Sequence, residues 1–87
     1  MKSVRFEKTT KGIVGYVKLD GGQEKIAWFI RLAKELLSKE KGKVLFEVHK
    51  SEDGGKGFRL IPRDTNEYLF PSVNSAKAFI YKKEIAV

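Results

Sequence analysis

The chain contains no cysteine, two prolines, one methionine, one histidine and no long hydrophobic run. Without cysteine it can form neither a disulfide nor a thiolate metal site. The longest uninterrupted apolar segment, residues 26–30, is far too short to cross a bilayer. The first ten residues, MKSVRFEKTT, lack the apolar core of a secretion signal. We therefore expect no membrane contact and a location in the cytoplasm, the nucleus or, for a viral protein, the host cytoplasm.

Length and composition predict one globular domain that spans residues 1–87. Lysine and arginine number 18 against 11 acidic residues, which gives a formal net charge of +7. Such an excess attracts polyanions, although it also serves solubility alone. Many lysines and glutamates beside a single methionine are typical of a thermophilic source.

The first half of the chain predicts two strands and a long helix. Residues 4–7 and 13–19 alternate between apolar and polar side chains around a Lys-Gly turn, so they predict a hairpin. From residue 24 to residue 41, the apolar side chains fall within an arc of roughly 160° when plotted at about 100° per residue. That arc predicts a long central helix, which Gly42 would end.

The second half predicts further strands and a C-terminal helix. A third strand is expected over residues 43–50, a fourth over 58–63 and a short fifth over 68–70. A second helix is expected over residues 73–83. The fold class is therefore α+β, with an antiparallel sheet of four to five strands, helices on one face and the order ββαββ(β)α.

Basic and aromatic side chains are expected on the sheet face opposite the helices. Strand alternation places Tyr16, Lys18, Arg59 and Arg63 on that face. Such a face can follow a phosphate backbone and stack bases, and arginine donates to phosphate in pairs. An ordinary solvated face, or a dimer surface that includes Ile61, would show the same pattern.

Trp28 lies about 40° beyond the apolar arc of the predicted helix. It would either pack under a neighbouring element or serve as a stacking platform or interface anchor, since tryptophan is enriched in both functional roles.

The sequence offers little material for catalysis or metal binding. His49 is the only histidine, no serine lies in a GxSxG motif, and the glycine-containing loop at residues 51–57 lacks the spacing of a phosphate-binding P-loop. We therefore expect no enzyme activity, no metal site and no cofactor.

Residues 41–62 resemble the strand–loop–strand unit of PC4-like single-stranded DNA-binding proteins. The matching pieces are Gly-Lys-Val-Leu at residues 42–45 and Gly-Lys-Gly-Phe-Arg-Leu at residues 55–60. The resemblance implies a dimer that holds single strands on curved sheets with basic and aromatic side chains. It implies Lys43, Lys56 and Arg59 as the phosphate contacts.

Charge, pattern and resemblance together predict a small basic protein that binds single-stranded DNA or RNA through backbone phosphates and bases. We expect it to form a homodimer or a higher homo-oligomer. The alternative is a protein-interaction module, such as a dimeric viral or archaeal accessory protein, that does not bind nucleic acid. Its anchors would be four apolar residues: Trp28, Leu32, Leu45 and Ile61.

Overall fold

A computed structural model describes residues 2–33, 45–64 and 67–85 of the chain. Within these ranges the elements are six strands and one helix. They follow in the order β1 (Ser3–Lys8), β2 (Ile13–Lys18), β3 (Lys25–Leu32), β4 (Phe46–Lys50), β5 (Arg59–Leu60), β6 (Leu69–Phe70) and α1 (Val73–Glu84).

The strands form one antiparallel sheet in the order β1-β2-β3-β4, and β4 pairs on its far side with both β5 and β6. β5 pairs with His49 and Lys50, whereas β6 pairs with Phe46 and Glu47. The α+β class, the antiparallel sheet and the C-terminal helix are therefore confirmed, whereas the predicted order ββαββ(β)α is not, because the described elements are six strands followed by one helix. Among the described residues, no helix combines the length and the apolar character that a membrane crossing needs.

The predicted long central helix is wrong over its first half, where Lys25–Leu32 is β3. β3 is a central strand, paired with β2 on one side and β4 on the other. Its Ile-Ala-Trp-Phe-Ile segment is rich in the β-branched and aromatic residues that strands favour. Because both faces of β3 carry apolar side chains, period-two alternation was hidden, and the run also fitted a helical arc. Residues 34–41 of the predicted helix lie outside the described residues.

The hydrophobic core lies between the sheet and α1. Its fully buried side chains include Trp28 and Ile30 from β3, Val48 from β4, and Ala76 and Ile80 from α1. We call the side of the sheet that packs on α1 the covered face, and the opposite side the open face. Strand alternation and the pairing register then assign the side chains of β1 to β4 to one of the two faces, and the register shift between β2 and β3 interrupts the alternation of β3 between Ile26 and Trp28.

Gly15 allows β2 and β3 to approach closely on the covered face. It lies opposite Trp28 in the strand register, and a Cβ atom at position 15 would come within 2.9 Å of the Trp28 Cβ. The register shifts between Gly15 and Tyr16, which marks a bulge. The two strands can therefore lie this close together at Trp28 because position 15 has no side chain.

Local sequence signals account for α1. Ser72 caps the helix by accepting a hydrogen bond from the Ser75 amide at 3.0 Å, and the Ser75 hydroxyl accepts one from the Ser72 amide. Lys82 and Lys83 lie in the last turn, where cations complement the helix dipole. The predicted helix, residues 73–83, agrees with α1 to within one residue.

Candidate nucleic-acid interface

Four aromatic side chains lie on the open face or at its border. The register pairs Val14 with Phe29 and Phe29 with His49, so these three side chains point to the same side. Ring centroids are 6.4 Å apart for Phe29 and His49, and 5.8 Å apart for Phe29 and Phe58. We call the four aromatic side chains the aromatic row: Tyr16, Phe29, His49 and Phe58.

Arg5 on β1 is fixed over the ring of Tyr16. Its guanidinium carbon lies 4.4 Å from the ring centroid, and the two residues are direct cross-strand neighbours. Glu24 holds the same guanidinium from outside, with Nε–Oε2 at 2.9 Å and Nη2–Oε1 at 3.0 Å. The hydrogen bond from Arg5 lowers the pKa of Glu24, so this carboxylate is charged at neutral pH. The Arg5 guanidinium and the Glu24 carboxylate are therefore already paired with each other.

The Tyr16 hydroxyl donates a hydrogen bond to Glu7 Oε1 at 3.1 Å. This bond to the carboxylate raises the pKa of Tyr16, so the phenol keeps its proton. Two side chains of β1 thereby hold Tyr16, with Arg5 over the ring and Glu7 at the hydroxyl.

A second ion pair, between Arg31 and Glu47, lies beside His49. The Glu47 Oε1 atom lies 2.9 Å from Arg31 Nε and 3.1 Å from His49 Nε2. Burial raises the pKa of Glu47, but the hydrogen bonds with Arg31 and His49 outweigh it, and the net shift is downward. Glu47 thus stays ionised and fixes both of its neighbours.

These contacts leave the open face charge-balanced. Among the described residues, three cations (Arg5, Lys18 and Arg31) share it with three carboxylates (Glu7, Glu24 and Glu47). The rest of the described chain carries eleven lysines and arginines against six acidic residues. The excess positive charge therefore lies around the sheet edges, the loops and α1 instead of on the open face.

The structure separates the predicted basic residues. Tyr16 and Lys18 lie on the open face of β2, as expected, but Arg59 pairs with Lys50, whose ammonium lies on the covered side near Trp28. The alternation predicted for this strand was therefore inverted. Arg63 donates from Nη1 to the carbonyl oxygen of Leu69 at 3.1 Å. It does not lie with Tyr16 and Lys18 on the open face.

The inversion follows from the burial of Ile61. Its amide donates to the Val48 carbonyl, and its side chain packs against the core, so Arg59 and Arg63 take the same side of the chain. Phe58 and Leu60 consequently turn outward and are 42% and 39% exposed. Lys43 lies outside the described residues.

Trp28 is neither a stacking platform nor an exposed interface anchor. It is 2% exposed on the covered face. Its Nε1 donates to Glu84 Oε2 at 2.8 Å, and Lys50 Nζ lies 5.2 Å from its ring. The alternative that it packs under a neighbouring element is the one observed, with α1 as that element.

Lys56 and Phe58 are carried by a loop that side chains hold closed. Asp53 Oδ1 accepts hydrogen bonds from the amides of Lys56 and Gly57 at 3.0 and 2.9 Å. The Gly57 bond is the largest cause of the lowered pKa of Asp53, and Ser51 contributes further. Directly after this closed loop, the Phe58 ring packs against Phe29.

The sequence analysis did not identify Phe29 and Phe58 as site residues, because it assigned the first to a helix and the second to the core.

In the described part of the chain, no group of three or more histidine, aspartate or glutamate side chains is placed so that it could hold a metal ion. Comparison with known proteins gave no match to a protein-family model, to a curated protein or to a solved structure.

Proposed function

We propose that the protein binds single-stranded DNA or RNA on its open face, with bases stacked on the aromatic row. The observation that carries this proposal is the grouping of Tyr16, Phe29, His49 and Phe58, from three strands and a loop, on the side opposite α1. Phe58 is well exposed and can meet a base directly.

Stacking favours single strands for a physical reason. An unpaired base presents its flat face, and each base stacked on an aromatic side chain contributes about 1–3 kcal/mol. A duplex keeps those faces inside its own stack. Lys18 on β2 and Lys56 on the loop supply cations near the row for the backbone phosphates.

The PC4-like resemblance supports the same proposal. Its two matching pieces flank β4 and run into β5, and the second one contains Lys56 and Phe58. With β3 in place of a helix at Lys25–Leu32, the strand–loop–strand unit continues an antiparallel sheet. The proposal includes the homodimer that the resemblance implies and a cytoplasmic or nuclear location, where single-stranded nucleic acid occurs.

Titration of a labelled single-stranded oligonucleotide tests the proposal. Phe58→Ala should weaken binding by about 5- to 150-fold, which corresponds to the stacking energy of one base. Tyr68→Ala is the matched control, because Tyr68 is 46% exposed but adjoins the open-face residue Leu69 and so has the opposite alternation. Equal affinity of the wild type and Phe58→Ala, or no binding by the wild type, would contradict the proposal.

A protein-interaction function is the second candidate. A charge-balanced face with exposed Phe58 and Leu60 also suits contact with a second copy of the chain. Light scattering separates the two functions. If Phe58→Ala converts a dimer to a monomer, and the wild type does not bind oligonucleotides, the open face is a dimer interface and not a nucleic-acid site.

A further inference from the structure

We infer that Glu24 and Glu47 are specificity-determining residues, which make the open face reject duplex nucleic acid in favour of single strands. The inference rests on the proposed function. Its basis is that each carboxylate occupies the guanidinium that would otherwise take a phosphate.

Arg5 shows the competition most directly. Arginine binds phosphate through parallel N–H groups, and the Nε and Nη2 groups of Arg5 both donate to Glu24. A phosphodiester that approached from the open face would compete for these donors and would meet a carboxylate of like charge. The pair therefore keeps the guanidinium over Tyr16 and withholds it from the backbone.

Arg31 is held less completely but by a more deeply placed acid, since its Nε donates to Glu47 Oε1 at 2.9 Å. The Glu47 side chain is 21% exposed, compared with 37% for Glu24. Glu47 also contacts His49, so its displacement would break two interactions at once. A phosphate should therefore displace Glu47 less easily than Glu24.

Duplex binding suffers more than single-strand binding from this arrangement. Sequence-independent affinity for a duplex comes from phosphate neutralisation, and a paired arginine contributes little to it. A single strand still gains from stacking on the exposed ring of Phe58, which does not depend on those charges. The two carboxylates thereby weaken duplex binding more than they weaken single-strand binding.

The test compares Glu24→Gln, Glu47→Gln and the double variant with the wild type, using a labelled single strand and its duplex over a range of salt concentrations. Each released arginine should raise duplex affinity by up to about fivefold, the equivalent of one exposed ion pair. It should also steepen the dependence of log K on log salt by about 0.9. Single-strand affinity should rise less, so the preference for single strands should fall.

Glu52→Gln is the matched control. It removes the same charge and releases Arg59, which pairs with Glu52 at 3.2 Å but has the alternation of the covered side. An equal rise in duplex affinity for Glu52→Gln, or an unchanged preference in the double variant, would overturn the inference while the proposed function stands. Wild-type protein that binds neither probe would overturn both. Circular dichroism checks the fold, and the exposed Glu24 provides the test alone if Glu47→Gln unfolds.

Discussion

Trp28 donates its indole N–H to the Glu84 carboxylate at 2.8 Å and so joins β3 to the last turn of α1. Lys2 approaches the other oxygen of the same carboxylate at 3.0 Å. A buried indole needs a hydrogen-bond partner, because its N–H has lost water. The pair therefore orients the helix on the sheet, and it shows why the only tryptophan is structural.

The stability of the fold should depend on the ionisation of Glu84. Burial raises the pKa of this carboxyl, but the hydrogen bonds from Lys2 and Trp28 outweigh it and lower the pKa below its ordinary value of 4.5. A lowered folded-state pKa contributes stability above the unfolded value, and that contribution is lost as pH falls through the folded value. Glu84→Gln should cost on the order of 1 kcal/mol of unfolding free energy at neutral pH.

Urea denaturation of the wild type and Glu84→Gln at several pH values measures this effect. The difference between them should be constant at neutral pH and should shrink as the pH falls below about 4.5. Glu67→Gln serves as the control, because it removes the same charge at an exposed position. A difference that grew on acidification would contradict the assignment.

Gly15 should tolerate no side chain. The Cβ of Gly15→Ala would lie 2.9 Å from the Trp28 Cβ and 3.3 Å from the Phe6 ring, within a sheet that cannot easily separate. Such overpacking typically costs about 1–3 kcal/mol. Thermal unfolding should show the loss, whereas Gly57→Ala, which meets only an Asp53 oxygen at 3.4 Å, should unfold much like the wild type.

The loop that carries Phe58 should depend on the Asp53 carboxylate. In Asp53→Ala the amides of Lys56 and Gly57 lose their acceptor, so their hydrogen exchange should accelerate. The same change should weaken single-strand binding, because the Phe58 ring is no longer held beside Phe29. Glu52→Ala leaves those amide bonds in place and should leave their exchange slow.

The N-terminus of α1 should depend on Ser72. Ser72→Ala removes the hydroxyl that accepts from the Ser75 amide, and loss of such a cap costs about 1 kcal/mol. Denaturant titration should show a lower midpoint with an unchanged slope. Asn74→Ala, at an exposed position within the same turn, is the control and should change stability little.

Sequence patterns predicted the elements whose signals are local. The β1–β2 hairpin follows from alternation around the Lys-Gly turn, and α1 follows from the apolar spacing of residues 73–83. The position of Tyr16 and Lys18 on one face of β2 was also correct, because alternation within a strand needs no knowledge of its neighbours.

The aromatic row was hidden from the sequence for two reasons. Phe29 lies in a strand that is apolar on both faces, so periodicity could not separate it from a helix. Phe58 directly precedes β5, and one buried side chain, Ile61, decides which residues of this segment face outward. The carboxylate partners of Arg5 and Arg31 come from separate segments, which no spacing rule brings together.

The amino-acid sequence by itself determined the α+β class, the hairpin, the C-terminal helix and the surplus of positive charge, since each depends on composition or on contacts between near neighbours. Only the tertiary structure decided that Lys25–Leu32 is a strand, because β2 and β4 supply the hydrogen bonds that stabilise it there. The tertiary structure likewise decided where charge is neutralised, because an ion pair depends on distances between residues that the fold, and not the chain order, brings within reach.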